Sequence, residues 1–294
     1  MPIEIARNVG PSRLDIAYER LGSPKAPPVL LIQGLNAQLL GWPDGFCAEL
    51  VARGFQVIRF DNRDAGQSTH LTGMPNFDAA RAGDFSSAVY NLSDMAGDTV
   101  GLLDVLDLPS AHLVGVSMGG FIAQTIAIEH PRRVRSLTSI SSTTGNPAIG
   151  QPHAEALQLF VGPPPMTREQ VIAKALEAYR VLGSPGFPAD ADAIAERVGL
   201  AYDRSFDPLA IVRQAVAVIA SGDRTPRLRS LDVPALVIHG DADRMCDISG
   251  GRATVEAIPG AEIVEIIGMG HDLPRGAWPL LARRIAELIE RVER

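Results

Sequence analysis

The chain has 294 residues, of which 46% are hydrophobic and 21% charged, with 28 glycines, 22 prolines and two cysteines. This composition excludes an intrinsically disordered chain and a disulfide-rich scaffold, and the length suits one large domain or a core with one insertion. The formal net charge of −7 leaves no basic surplus to displace counterions, so we expect no nucleic-acid partner.

The sequence predicts a protein without a membrane span. Its start lacks the basic and apolar regions of a secretory signal, and no apolar run approaches the roughly 18 residues that cross a bilayer. Cys47 and Cys246 stand far apart without a CxxC partner, which is typical of free thiols in a reducing compartment. We therefore expect a cytoplasmic protein, as a monomer or a small homo-oligomer.

The first half of the chain predicts a β-hairpin and then alternating strands and helices. IEIARN and LDIAYER flank Gly10-Pro11-Ser12, as in an antiparallel hairpin. Central parallel strands are predicted by four continuous apolar runs, PVLLIQG, FQVIRFD, HLVGV and VRSLTSIS. Helices are predicted near residues 46–53, from Ser93 and over FIAQTIAIEH, whereas residues 61–90 predict a loop. The alternation indicates an α/β fold with a mostly parallel sheet flanked by helices.

Residues 145–226 interrupt this alternation with proline-rich turns and helix-like runs. Thr167 and Gln170 form a capping box that predicts a helix start, and further helical runs cover residues 191–202 and 208–220. The strands PALVIHG and AEIVEIIG then resume the sheet, and helices are predicted near 251–258 and 278–292. We therefore predict a core of residues 1–144 and 227–294 carrying an inserted all-helical lid of residues 145–226.

The motif Gly115-Val116-Ser117-Met118-Gly119 matches GxSxG and stands between a predicted strand and a predicted helix. That setting is typical of a nucleophile elbow, in which a strained turn lifts the serine oxygen to the carboxyl edge of the sheet. The alternative is a glycine-rich turn that only lets the helix pack. We favour Ser117 as a nucleophile.

A nucleophilic serine needs a base, and the base needs an orienting acid. Of six histidines, His271 lies on a glycine-rich loop directly after a predicted strand, where open α/β sheets place their ligands. His239 ends a strand, which is more typical of a buried structural imidazole. The acid should lie between the serine and the histidine in chain order. Asp241, Asp243 and Asp247 all satisfy that condition.

An oxyanion needs two preorganised N–H donors. The residue after the nucleophile, Met118, offers one backbone N–H. The second should come from the loop Gln33-Gly34-Leu35-Asn36, which follows the first long parallel strand. The alternative is that Gly34 only forms a turn at the end of that strand and the loop supplies no donor.

At this point the chain resembles the α/β-hydrolase fold superfamily, and most of all the aclacinomycin methylesterase-type serine carboxylesterases. LLIQGLNAQLLGWPDGF, RFDNRDAGQST, GVSMGG and GMGHDLP carry the resemblance. It implies Ser117, Asp243 and His271 as a catalytic triad, with Asp243 in the HGxxD pattern. It also implies Leu35 and Met118 as oxyanion donors and a helical lid.

The chain departs from the superfamily pattern at two positions. Gln33 stands where many members have histidine before the oxyanion glycine, and Asp64 replaces a glycine of the DxRGxGxS stretch. We interpret the stretch from Asp61 to Ser68 as structural, with Arg63 and its aspartates tying a loop to the core. Asp241 and Asp247 are then interpreted as turn or capping residues.

The predicted function is hydrolysis of small to medium apolar, aryl or methyl carboxylic esters through an acyl-enzyme, with no cofactor and no metal. A perhydrolase or haloperoxidase, a C–C bond hydrolase and a non-catalytic binding protein are the alternatives. Candidate substrate contacts are Gly34, Asn36, Trp42, Phe160 and Met166. Trp42 could instead pack its own loop, and the two lid residues could belong to the core of the lid.

Overall fold

The predicted hairpin and alternating strands join one eight-stranded sheet in the computed structural model, which describes residues 2–294. The strands are β1 Glu4–Val9, β2 Leu14–Leu21, β3 Pro28–Ile32, β4 Gln56–Phe60, β5 Ala111–Val116, β6 Val134–Ile140, β7 Ala235–Gly240 and β8 Glu262–Ile266. Their order in the sheet is β1-β2-β4-β3-β5-β6-β7-β8. β2 pairs antiparallel with β1 and β4, whereas all the other pairs are parallel.

Eleven α-helices connect or cover these strands within residues 2–294. They are α1 Asp44–Val51, α2 Phe77–Arg81, α3 Leu92–Val105, α4 Met118–Glu129, α5 Ala154–Gln158, α6 Arg168–Leu182, α7 Ala191–Arg204, α8 Ala210–Ser221, α9 Thr225–Leu228, α10 Ile248–Ala257 and α11 Trp278–Val292. None of the helices in this described part of the chain has the length and apolar character to cross a bilayer.

Two local expectations were wrong. The helix predicted from Ser93 is capped by Asn91, whose side chain accepts from the N–H groups of Ser93 and Asp94, so α3 begins at Leu92. The predicted loop of residues 61–90 contains the short helix α2, because Asn76 accepts from the N–H of Ala79 and caps it. Asparagine is as good an N-cap as serine, and the sequence does not say which polar residue will act.

Alternate residues of β3 belong to two separate hydrophobic clusters, because successive side chains of a strand point to opposite faces of the sheet. Leu30 and Ile32 join α3 and α4 on one face of the sheet. Val29 and Leu31 join α1 and α11 on the other face. All four side chains are fully buried, and each contributes about 1.5–3 kcal/mol relative to exposure. The sheet is thereby held rigidly between two layers of helices.

The parallel register aligns the carboxyl ends of the central strands. Ile32 of β3 pairs with Gly115 of β5, and Ile140 of β6 pairs with Val116 of β5 and with Ile238 of β7. The residues that follow these strands therefore meet at one edge of the sheet. This edge is where the predicted nucleophile lies.

Residues 145–226, all of which the structure describes, contain helices and no strand. The predicted capping box at the start of α6 is confirmed, since Thr167 Oγ1 accepts from the Gln170 N–H and the Gln170 side chain accepts from the Thr167 N–H. The expected boundary between residues 226 and 227 falls inside α9. Leu228 of that helix belongs to a core cluster. We call residues 145–226 the helical segment.

Candidate active site

Ser117 lies in a sharp turn between β5 and α4, with φ of 54° and ψ of −122°. A non-glycine residue rarely adopts a positive φ, so the surrounding structure must enforce this conformation. A Cβ on Gly115 would lie 2.1 Å from the carbonyl oxygen of Gly119, and one on Gly119 would lie 2.0 Å from that of Ile32. The Ser117 N–H donates to the carbonyl of Ile140 at 2.9 Å. The turn is therefore fixed by backbone contacts that only glycine permits.

The structure brings Ser117, His271 and Asp243 into one hydrogen-bond chain. His271 Nε2 lies 3.0 Å from Ser117 Oγ, and His271 Nδ1 lies 2.8 Å from Asp243 Oδ2. A proton on Nδ1 satisfies both contacts, because Nδ1–H then donates to the carboxylate and Nε2 accepts from the serine hydroxyl. Neutral imidazole in this tautomer can act as a base toward the serine.

Asp243 is fully buried, and its second oxygen is also occupied. Oδ1 accepts from the N–H groups of Met245 and Cys246, each at 2.9 Å. Burial acts to raise the pKa of this carboxyl, but the neighbouring His271 and the Cys246 N–H favour the ionised form, and the net pKa is lowered. Asp243 therefore carries its negative charge near neutral pH, beside the His271 imidazole.

The two competing aspartates have local structural contacts. Asp241 Oδ1 accepts from the Gly268 N–H at 2.6 Å, and Asp247 caps α10 by accepting from the Ser249 N–H at 3.0 Å. Both contacts agree with the turn and capping roles expected from the sequence. His239 is buried, and burial lowers its pKa. Its Nε2 donates to the Cys246 carbonyl at 2.7 Å, so this histidine braces the turn that carries Asp243.

The loop after β3 lies directly against Ser117, since a Cβ on Gly34 would be 3.2 Å from the Ser117 Cβ. Gln33, in place of the superfamily histidine, accepts from the Gly34 N–H through Oε1 at 2.8 Å and so bends the loop internally. Within residues 2–294 the Leu35 N–H has no hydrogen-bond acceptor. Met118 is the first residue of α4, whose N–H has no acceptor within a helix. Two N–H groups thus remain available beside the serine.

Gln214 of α8 is a residue that the sequence analysis missed. It is fully buried, its Oε1 accepts from the Asn36 N–H at 2.8 Å, and its Nε2 donates to the Arg63 carbonyl at 2.9 Å. Asn36 has a positive φ of 57°. Its N–H is occupied by the hydrogen bond to Gln214. The helical segment therefore helps to shape the loop of Leu35. A polar residue inside an apolar helical pattern was the only signal for this contact.

The stretch from Asp61 to Ser68 connects loops and helices, in agreement with a structural role. Asp61 accepts from the Leu39 and Gln67 N–H groups at 2.6 and 2.9 Å and from Arg204 Nη2 of α7 at 2.9 Å. Arg63 forms a buried ion pair with Asp98 at 2.6 Å. The sequence indicated this function of the stretch but not its link to the helical segment.

Asp64, His70 and Asp207 place possible metal-ligand atoms within 4.8 Å of one another. Arg213 of α8 donates to both carboxylates, to Asp64 through Nε at 2.9 Å and to Asp207 through Nη2. Tyr90 also donates to Asp64, at 2.7 Å. Because the guanidinium already supplies the positive charge, this group is best described as an ion-pair network that joins α8 to the core.

The expectation that Trp42 contacts substrate is corrected by the structure. Its side chain is fully buried, stacks on Phe46 with ring centroids 5.5 Å apart, and belongs to the cluster beneath α11. Packing of its own loop, the alternative reading, is what the structure shows. Asn36, Phe160 and Met166 are exposed, the last two at 52% and 56%, and their contact with substrate remains a prediction.

The sequence profile of the α/β-hydrolase fold family matches residues 27–180. Rhodomycin D methylesterase DnrP of Streptomyces peucetius is 31% identical over 289 residues, which cover 91% of this chain and 92% of that relative. The chain belongs to the α/β-hydrolase fold family. As an α/β-hydrolase it is a hydrolytic enzyme, and its methylesterase relatives support ester hydrolysis.

Other relatives of this α/β-hydrolase act on different compounds. The 3-oxoadipate enol-lactonase 2 of Acinetobacter baylyi is 26% identical over 86% of this chain and 85% of its own length. Among solved structures, the enol-lactonase of Burkholderia xenovorans has a TM-score of 0.75 at 22% identity and covers 98% of this chain and 100% of its own. An esterase of Thermogutta terrifontis has a TM-score of 0.72 at 22% identity and covers 98% of this chain and 99% of its own. These structures share the fold.

Proposed function

We propose that the protein is a carboxylic-ester hydrolase in which Ser117 is the nucleophile, His271 the general base and Asp243 the orienting acid. The observation that carries the proposal is the continuous chain of contacts, 3.0 Å from Ser117 Oγ to His271 Nε2 and 2.8 Å from His271 Nδ1 to Asp243 Oδ2. The raised position of the serine on a strained turn supports it, because such a turn presents Oγ to a substrate at the sheet edge.

In the first step Ser117 Oγ forms a bond to the ester carbonyl carbon while His271 Nε2 takes the hydroxyl proton. The negative charge that develops on the carbonyl oxygen is met by the N–H groups of Leu35 and Met118. Each such donor is worth about 10²–10³ in rate when it is aimed at the oxyanion. The ionised Asp243 stabilises the imidazolium that forms.

Collapse of the tetrahedral intermediate breaks the bond from carbon to the alkoxy oxygen, and His271 gives its proton to the departing alcohol. Water then attacks the acyl-enzyme while His271 again takes a proton. The second collapse releases the carboxylic acid and returns the proton to Ser117. No group other than these side chains and N–H donors is required for the proton balance.

For the substrate we propose small to medium apolar esters, aryl or methyl, with the helical segment of residues 145–226 serving as a lid. The similarity to rhodomycin D methylesterase supports a methyl ester as the substrate. Exposed apolar residues of the helical segment, including Phe160 and Met166, support a lid that faces apolar groups.

A fluorophosphonate probe and a Ser117→Ala variant test the proposed mechanism together. The wild type should be labelled once per chain, at Ser117, and should hydrolyse p-nitrophenyl acetate, whereas Ser117→Ala should lose both properties. Retention of wild-type turnover by the folded variant would refute the assignment. Lack of labelling and turnover in the folded wild type would instead favour a binding protein.

An ester panel tests the substrate class, with methyl and ethyl esters of aromatic acids and p-nitrophenyl esters of increasing acyl length. Peracid formation, halide oxidation and cleavage of a diketone run on the same three residues, so they belong in the same panel. We expect the largest kcat/KM for a methyl or aryl ester. A larger value for any of the other reactions would replace the proposed function.

A further inference from the structure

The loop that carries His271 is fastened to the carboxyl-terminal end of α6, in the helical segment. The His271 N–H donates to the Leu182 carbonyl at 2.7 Å, and the Gly186 N–H donates to the Gly268 carbonyl at 2.9 Å. These two contacts bracket the loop on either side of Gly270. The backbone around His271 is thus hydrogen-bonded to a segment that is not part of the sheet.

Between these two backbone contacts lies the side chain of Ser184, which makes two hydrogen bonds to the same loop. Its Oγ accepts from the Gly270 N–H at 2.8 Å and donates to Asp272 Oδ1. Gly270 and Asp272 immediately flank His271. One buried hydroxyl, only 5% exposed, therefore holds the residues on both sides of the base.

The His271 loop and the segment that follows α6 approach each other so closely that glycine is needed in both. A Cβ on Gly270 would lie 2.3 Å from the Leu182 carbonyl oxygen, and one on Gly268, where φ is 72°, would lie 2.6 Å from the Gly186 Cα. Neither of these loop positions can therefore carry a side chain while the contact with the helical segment is kept. The loop conformation depends on the helical segment being in place.

Asp272 adds an electrostatic reason for the contact with Ser184. Burial raises the pKa of this carboxyl, while the hydrogen bond from Ser184 and the nearby His271 favour its ionised form. Arg197 of α7 and Tyr179 of α6 also act on it electrostatically. Loss of the Ser184 hydroxyl would leave this partly buried carboxyl with only the Ser184 backbone N–H as a donor from that residue and would weaken its hold on the residue next to His271.

We propose that Ser184 is a positioning residue for the base: by binding Gly270 and Asp272 it sets the position of the His271 imidazole relative to Ser117 Oγ. This inference rests on the proposed function, since it assigns the positioning of the same His271. The helical segment then contributes to catalytic geometry as well as covering the site. A displacement of about 1 Å in a reacting group can cost about 10²-fold in rate.

The test compares Ser184→Ala, two residues beyond the end of α6, with Thr167→Ala, a control at the start of that helix. Thr167 caps α6, and the hydrogen bonds described for it are to Gln170 and Val171 at the start of that helix. Ser184→Ala should lower kcat for p-nitrophenyl acetate at least tenfold with KM within twofold, and should slow fluorophosphonate labelling in proportion. Thr167→Ala should lower the Tm and leave kcat and labelling within twofold of the wild type.

Ser184→Cys serves as a second variant because it keeps the shape of the side chain and weakens its hydrogen bonds. We expect its kcat to lie between those of the wild type and Ser184→Ala. If both Ser184 variants keep the wild-type kcat and labelling rate, the inference is overturned. The same holds if Thr167→Ala loses kcat as strongly as Ser184→Ala, since loosening of α6 would then explain both.

The Ser117→Ala variant separates this inference from the proposed function. If that variant retains activity, the serine mechanism itself fails. If it is inactive, the wild type is labelled at Ser117, and Ser184→Ala behaves as the wild type, then only the positioning role of Ser184 fails.

Discussion

Ser117 and His271, the proposed nucleophile and the proposed base, reach the same point in space by different means. Ser117 is held by its own neighbours, Gly115 and Gly119, and by the strands on either side of β5. His271, 154 residues further along the chain, is held by a loop whose partners lie in the helical segment. The first geometry is local and belongs to the core, whereas the second depends on a long-range contact.

The packing of the two supports differs as well. Five consecutive residues of β5 are buried, from Ala111 to Gly115, whereas no residue of α6, Arg168–Leu182, is buried. Regions with few buried apolar contacts open at a lower free energy than core strands. We therefore expect changes on the nucleophile side to damage the fold, and changes on the base side to alter kcat first.

Gly119→Ala should have the largest effect. Its Cβ would lie 2.0 Å from the Ile32 carbonyl oxygen and would push α4 away from β3. We expect an insoluble protein, or a folded one that the fluorophosphonate does not label. Gly260→Ala is the control, since among the described residues nothing beyond its chain neighbours lies within 4 Å of that Cβ and only its φ of 71° is strained. A labelled, active Gly119→Ala protein would mean that the turn is less constrained than the geometry implies.

Asp243→Asn should leave the fold intact and lower kcat by about 10⁴-fold, because an amide cannot hold the imidazole in the required tautomer. Asp241→Asn is the matched control and should stay within about tenfold of the wild type, since the Asp241 side chain accepts from the Gly268 N–H in its turn. Steady-state kinetics on one ester decide between them. The opposite ranking would transfer the role of acid to Asp241.

Gln214→Ala should lower kcat about tenfold, a smaller loss than removal of an oxyanion donor. It frees the Asn36 N–H and loosens the loop of Leu35. Ser221→Ala, at the other end of α8, removes a contact to the Leu92 N–H and should leave kcat unchanged. Kinetics and thermal unfolding of both variants test this. Equal losses of kcat would show that α8 acts only through stability.

The pH dependence of stability should show the smallest effect. The pKa of Asp243 is lower in the folded protein than its ordinary value of about 3.9. Its ionised form therefore adds stability that is fully present above that value and is lost as the pH falls through the folded pKa. The difference in unfolding free energy between wild type and Asp243→Asn should shrink as the pH is lowered from about 5 to about 2. A difference independent of pH would contradict the lowered pKa.

The strands and the turn around Ser117 could be predicted because their signals are local. Buried strands are continuous apolar runs, and the turn needs glycines at fixed offsets from the serine. The residues alone did not single out the acid, because Asp241, Asp243 and Asp247 all lie between Ser117 and His271 along the chain. Only the fold shows which carboxylate reaches His271, because the turn after β7 places Asp243 at 2.8 Å and directs the other two to backbone N–H groups.

By itself the sequence determined the fold class and predicted the nucleophile motif and the loop of the proposed base, because each depends on the order and spacing of nearby residues. The tertiary structure decided what depends on partners distant in sequence. It buried Trp42 under α11, and it set Gln214 and Ser184 against the loops of Leu35 and His271. Such pairs join positions 178 and 86 residues apart. A hydrogen bond over that separation leaves no periodic signal in the chain, since either partner alone is an ordinary polar residue.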